Sequence, residues 1–258
     1  MQAVILCGGK GTRLREETDF IPKPLIKIGE KPILWHIMKI YASYGINDFL
    51  LCLGYKGNLI REYFYNYDLD NSDVILELGS KTITKLDDGH EEEGWRICLA
   101  DTGQETLTGG RLKRIERYLD NQRFVLTYGD GVADIDLDKL RRFHEKHGKL
   151  ATVTAVRPSS RFGELAIDNN RVTTFQEKPQ VHEGWINGGF FVFEKEAIDL
   201  IGGDADTLEQ GLLSILADRD ELAVYLHDGF WQCMDTYREM ELLNEMWRTD
   251  SAPWVTNW

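Results

Sequence analysis

Residues 3–13 read Ala3-Val4-Ile5-Leu6-Cys7-Gly8-Gly9-Lys10-Gly11-Thr12-Arg13, and ten residues beyond Arg13 comes Lys23, set between Pro22 and Pro24. A short apolar strand empties into a glycine-rich turn armed with fixed cations. Three glycines in four residues let backbone N–H groups crowd around a phosphate without Cβ interference. Arg13 offers a bidentate fork and Lys23 a point charge for phosphate oxygens. A dinucleotide fingerprint is excluded, because the sixth position counted from Gly9 is Leu14, and no Walker string occurs.

A chain of 258 residues can bury a sizeable core, and its net charge of −13 repels nucleic acid and anionic membranes. Residues 1–31 nevertheless hold six basic residues against four acidic ones. That local enrichment fits a small polyanionic ligand rather than a polymer. Cys7, Cys52, Cys98 and Cys233 show no metal spacing and read as free thiols of a reducing, cytoplasmic compartment. Cys7, beside the loop, is also the one candidate for a catalytic cysteine. The N-terminal apolar stretch is too short for a signal peptide, and no stretch reaches membrane-spanning length.

Strands and helices alternate outward from that loop. Pro32 suits the first position of a helix that Gly45 stops. Phe49–Leu53 is a continuous apolar strand, as in a sheet covered on both faces. Asn58 can cap a helix running to Tyr67, and Val74–Leu78 reads as a strand. A helix over residues 110–119 precedes the strand Phe124–Thr127. Asp136 can cap a helix ending at Gly148, and Ala151–Val156 is a further strand. This rhythm predicts an α/β fold with a doubly wound, mainly parallel Rossmann-like sheet.

After Pro158 the pattern turns antiparallel, with a hairpin over 165–173, a strand Phe190–Phe193, a helix over 207–217, strands within 222–234 and a last helix over 237–247. Residues 1–258 read as one domain. Segment 79–94, with His90 among acidic residues, reads as a solvated loop or projecting arm rather than a metal site.

Asp130, in Tyr128-Gly129-Asp130-Gly131, falls at a strand's carboxyl end, where open α/β sheets bind ligands, and its flanking glycines leave room for a substrate or hydrated ion. Asp235 follows a strand-like run and precedes a helix, where it reads either as an N-cap or as a partner of Asp130. Two such carboxylates suit Mg²⁺, which takes one or two carboxylates plus substrate phosphates. Glu177-Lys178-Pro179 ends another strand. Asn187-Gly188-Gly189 reads as a glycine bulge or a sugar-hydroxyl contact, and Thr108-Gly109-Gly110-Arg111 as a second anion-receptive helix N-terminus.

These strings, with Gly29–Met38, Asp101-Thr102-Gly103, Ile186–Phe191 and Trp231–Thr236, resemble the sugar-1-phosphate nucleotidylyltransferases nearly end to end. Cys7 departs from the wider family's alanine. Glu16-Glu17 stands where thymidylyl relatives carry a proline and, with Asp101-Thr102-Gly103, points to the cytidylyl branch. The resemblance implies CTP and glucose 1-phosphate as substrates, Mg²⁺ as cofactor, and a homo-oligomer, a hexamer, with 79–94 in an intersubunit arm. It implies that Leu6, Gly8, Gly9, Gly11, Thr12, Thr102, Gly110, Arg111 and Asp130 hold the nucleotide. Arg13 and Lys23 act on the triphosphate, Asp130 and Asp235 carry the metal, and Glu177, Lys178 and Asn187 bind the sugar phosphate.

Overall fold

The computed structural model describes residues 1–258 apart from 12–13, 15–17, 87–89, 91, 93, 159–163, 169–170, 177–183 and 257; of 164–168 and 171–176 it describes the backbone. Seven strands form the central sheet: β1 (Gln2–Leu6), β2 (Asp48–Leu53), β3 (Arg96–Asp101), β4 (Arg123–Tyr128), β5 (Ala151–Val156), β6 (Ile186–Glu194) and β7 (Leu222–His227). Their spatial order is β7-β5-β6-β4-β1-β2-β3. β1 runs parallel to both β2 and β4, β2 to β3, and β5 to β7. Only β6 is reversed, pairing antiparallel with β5 and β4. The mainly parallel sheet read from the sequence is therefore present.

The apolar runs follow from burial on both faces. In β1, Ala3 and Ile5 join one core cluster while Val4 and Leu6 join the other. The first cluster is covered by α1 (Ile33–Ala42), and the second by α3 (Thr108–Ile115) together with Leu208, Leu212 and Leu216. Between them in sequence lies α2 (Gly57–Tyr65). Two further helices, α4 (Leu137–His147) and α5 (Tyr237–Arg248), lie where expected; Asp136 caps α4 by accepting the Lys139 N–H.

Local punctuation differs in places. Pro32 stands one residue before α1, closing a two-residue strand with Lys31. Asn58 lies inside α2, whose preceding residue is Lys56 in the left-handed region (φ 52°). Helix α3 begins two residues before the expected 110 and gives way to a 3-10 turn over Glu116–Tyr118. The segment expected as a helix over 207–217 starts as a π-helix, Leu208–Leu213.

The predicted hairpin is formed by Glu164–Asp168 and Arg171–Gln176, with Asp168 opposite Arg171. Val74–Glu77 also pairs with a second strand, Thr82–Lys85, so the arm is a β-hairpin rather than a loop. Its far end is anchored, against expectation. Glu92 is buried and accepts the Trp35 Nε1–H at 3.1 Å, while the His90 ring lies 4.9 Å from that of Tyr67. All four cysteines are free, but only Cys7 and Cys52 are buried. Among the described residues no helix is long and apolar enough to cross a membrane.

His36, fully buried in α1, packs edge-on against Trp35, Trp247 and Trp254. Its Nε2 sits 2.9 Å from the Ile28 carbonyl, and Trp254 Nε1–H donates to Nδ1 at 3.4 Å. The neutral Nε2–H tautomer satisfies both neighbours. Burial pulls its pKa down to about 4, against hydrogen bonds to backbone carbonyls that oppose the shift. The unfolded chain therefore binds this proton first, so stability is lost as pH falls from about 6.5 toward 4, amounting to about 3 kcal/mol. Urea unfolding between pH 7.5 and 4 is expected to show this loss in the wild type and less of it in His36→Gln. Parallel stability curves would place the acid sensitivity elsewhere.

Candidate functional site

The strand order changes direction between β1 and β4, and ligands of open α/β sheets bind at the carboxyl ends flanking such a point. Here the two ends open into a cleft of about 450 Å³. Residues 6–11 form one wall, Tyr128-Gly129-Asp130 another, and residues 104–108 the facing side, with Lys23 and Arg111 at its floor.

Lys23 lies in a single 3-10 turn, Lys23–Leu25, and is almost wholly buried. Its ammonium donates to Asp130 Oδ2 at 2.6 Å and to Asp235 Oδ1. The carboxylates meet because Gly131–Ala133 pairs antiparallel with Trp231–Cys233, and the Met234 N–H donates to the Asp130 carbonyl. Burial alone would lower the lysine's pKa; the two aspartates overcome it and raise it, so the group is a fixed cation. The N-cap of α5 is Thr236, in a reciprocal capping box with Glu239. Asp235 is thereby released from capping.

Arg111 is the second buried cation. One terminal nitrogen donates to the Leu53 carbonyl, Thr102 Oγ1 and the Gly103 carbonyl, and the other to the carbonyls of Gly8 and Gln104. It thus straps the glycine loop to the end of β2 and to the 102–104 turn. Burial lowers its pKa. The close approach explains Gly8 and Gly54, where a Cβ would come within 2.2 and 2.4 Å of the guanidinium. Gly11 has φ +61°, whereas a Cβ at Gly9 would meet nothing within 4 Å, leaving that face to a ligand.

Of the expected nucleotide residues, Leu6, Gly8, Gly9, Gly11, Lys23, Arg111 and Asp130 line the cleft. Two do not. Thr102 is fully buried, donating to the Leu53 carbonyl at 2.6 Å. Gly110 faces the backbone of Asp204, 2.6 Å from where its Cβ would stand. At the start of α3, the Gly110 N–H donates to the Asp206 carbonyl. Gly129 lines the cleft, and a Cβ there would press on the Leu6 carbonyl and Pro24.

Gly188 and Gly189 lie in a bulge of β6, opposite a register shift in β5. Asn187 is exposed and donates to the Tyr128 hydroxyl at 3.2 Å. Cys7 is buried with its pKa raised chiefly by burial, which leaves it a poor nucleophile. Thr12, Arg13, Glu177 and Lys178 lie outside the described residues. Lys10 and Glu105, paired at 3.0 Å across the cleft, were missed because the pairing spans 95 residues. Among the described residues no cluster of three or more His, Cys, Asp or Glu could hold a metal.

A cation-lined cleft at the switch point of a doubly wound sheet defines a class of protein that handles phosphorylated nucleotides. The chain belongs to the nucleotidyl transferase family, which it matches over residues 2–236. It is 51% identical to the glucose-1-phosphate cytidylyltransferase of Salmonella typhi, covering 99% of both chains. It is 46% identical to the probable glucose-1-phosphate cytidylyltransferase of Bacillus subtilis, covering 98% of this chain and 99% of that one. The crystal structure of HddC from Yersinia pseudotuberculosis shares the fold, with a TM-score of 0.70 at 22% identity over 95% of this chain and 99% of that one.

Gly54→Ala tests the Arg111 strap without touching the cleft wall. Displacing the guanidinium from its buried acceptors is expected to cost about 1–3 kcal/mol, read as a melting temperature several degrees lower. An unchanged melt would show that the guanidinium moves aside freely.

Proposed function

We propose that this chain is a glucose-1-phosphate cytidylyltransferase, converting CTP and α-D-glucose 1-phosphate into CDP-glucose and diphosphate. The carrying observation is the convergence of Lys23, Asp130 and Asp235 beside the glycine loop. The near full-length identity to curated cytidylyltransferases supports the substrate pair.

A sugar phosphate has a second pKa of about 6, so its oxygen is already a nucleophile at neutral pH and needs no general base. The chain's task is alignment and charge stabilisation at the α-phosphorus. Residues 8–11 hold the nucleotide, with Thr12 and the cations Arg13 and Lys23 on its triphosphate. Glu177, Lys178 and Asn187 take the sugar phosphate. Asp130 and Asp235 both reach the Lys23 ammonium, and the same pair suits Mg²⁺, which takes its other ligands from water and phosphates. When bound there, Mg²⁺ would offset charge on the reacting phosphates.

A homo-oligomer, a hexamer, completes the reading. The hairpin Val74–Glu77 and Thr82–Lys85 exposes Ile75, Leu76 and Ile83, a surface suited to a second copy. Four free thiols agree with a cytoplasmic setting.

A diphosphate-release assay crossing CTP, UTP, dTTP and ATP with several hexose 1-phosphates and Mg²⁺ tests the reading; preference for another pair would overturn it. Asp130→Asn is expected to abolish Mg²⁺-dependent turnover, and full activity would remove Asp130 from the metal site. Lys178→Ala is expected to raise the KM for sugar phosphate above all, whereas Arg13→Ala is expected to cost roughly 10²–10³-fold in rate.

A further inference from the structure

The segment Leu208–Leu213 is a π-helix beside the cleft-lining Thr108 and Tyr128, and π-turns concentrate at functional positions. Leu208 and Leu212 face the core, while Glu209 turns outward to the cleft wall. Both of its carboxylate oxygens are engaged there. Oε1 accepts the Tyr128 hydroxyl proton at 2.6 Å, and Oε2 accepts that of Thr108 at 2.9 Å. Thr108 Oγ1 in turn accepts the Leu208 N–H at 2.8 Å, so the π-helix and the start of α3 are stitched together.

The consequence runs through Tyr128. Because its proton is committed to Glu209, the phenol oxygen is left as an acceptor, and the Asn187 amide donates to it at 3.2 Å. Asn187 Oδ1 meanwhile accepts the Gly189 N–H at 2.9 Å. The amide is thereby held in one of its two flipped orientations, with one N–H and one oxygen lone pair left over. A donor and an acceptor side by side are what a sugar hydroxyl requires. With Glu209 removed, the Tyr128 proton is free to rotate, and the hydroxyl can donate as readily as accept. Gly189 N–H still marks the oxygen end of the amide, but its N–H end then faces a hydroxyl that can donate against it, and that side of the amide is no longer held.

We propose that Glu209 is a positioning residue for the sugar phosphate, acting through Tyr128 to orient the Asn187 amide toward a substrate hydroxyl. This rests on the function proposed above, in which Asn187 contacts the sugar. Glu209 itself touches neither substrate.

The test is steady-state kinetics for both substrates in Glu209→Ala, Glu209→Gln, Tyr128→Phe and the double variant Glu209→Ala/Tyr128→Phe. Glu209→Ala is expected to raise the KM for glucose 1-phosphate about tenfold, with kcat and the KM for CTP within about twofold. Glu209→Gln, whose carbonyl can accept from Tyr128 while its amide donates to Thr108, is expected to recover most of that loss. The double variant is expected to match Tyr128→Phe alone, since both changes break one chain. An unchanged KM for the sugar phosphate, an equal rise for both substrates, additive effects, or a Glu209→Gln variant as impaired as alanine would each overturn the proposal. A wild type inactive on CTP and glucose 1-phosphate would instead refute the function it rests on, whereas these outcomes in an active wild type refute the positioning role alone.

Discussion

One buried ammonium holds the site together. Lys23 is joined to Asp130 and Asp235, which lie 107 and 212 residues along the chain. The cost of removing a lysine from water is large, and it is met only because two carboxylates converge on it. The converse also holds. Asp130 and Asp235 stand together at the ends of paired strands, where they would repel each other without a shared positive charge. A divalent ion suits the same two carboxylates. The loop of β1, the end of β4 and the approach to α5 are all located by this contact.

Much of the sheet was legible because the signal was local. Phe49–Leu53 and Ala3–Leu6 are uninterrupted apolar runs, as strands covered on both faces must be, and Asp136 and Gly148 bracket α4 as cap and stop. Some positions stayed open or were misplaced where two neighbours compete for one role. Asp235 and Thr236 both suit an N-cap, and the Glu239 partner of Thr236 decided the matter. Asn58 lost its capping position to a left-handed Lys56.

The site was legible in its charges and less so in its glycines. Lys23, Asp130 and Asp235 were recognisable from proline bracing and strand ends, and they do meet. Gly110 invited a ligand reading, yet the space beside it is filled by another part of the chain. Nothing near Gly110 in sequence announces the backbone of Asp204. Arg111 reads locally as a helix-terminal cation, and only the fold reveals five acceptors around it. Glu209 carried no signal, because its partners are separated from it by 81 and 101 residues.

Arg111 also changes how variation in this chain should be understood. Its guanidinium occupies the volume that side chains at positions 8 and 54 would need. Gly8, Gly54 and Arg111 therefore constitute a single epistatic unit: a larger residue at either glycine displaces the guanidinium from its acceptors, a cost that vanishes once the arginine has shortened, and a shortened arginine leaves a void that the two glycines cannot fill. The effect of a substitution at any one of the three positions is therefore set by the residues at the other two.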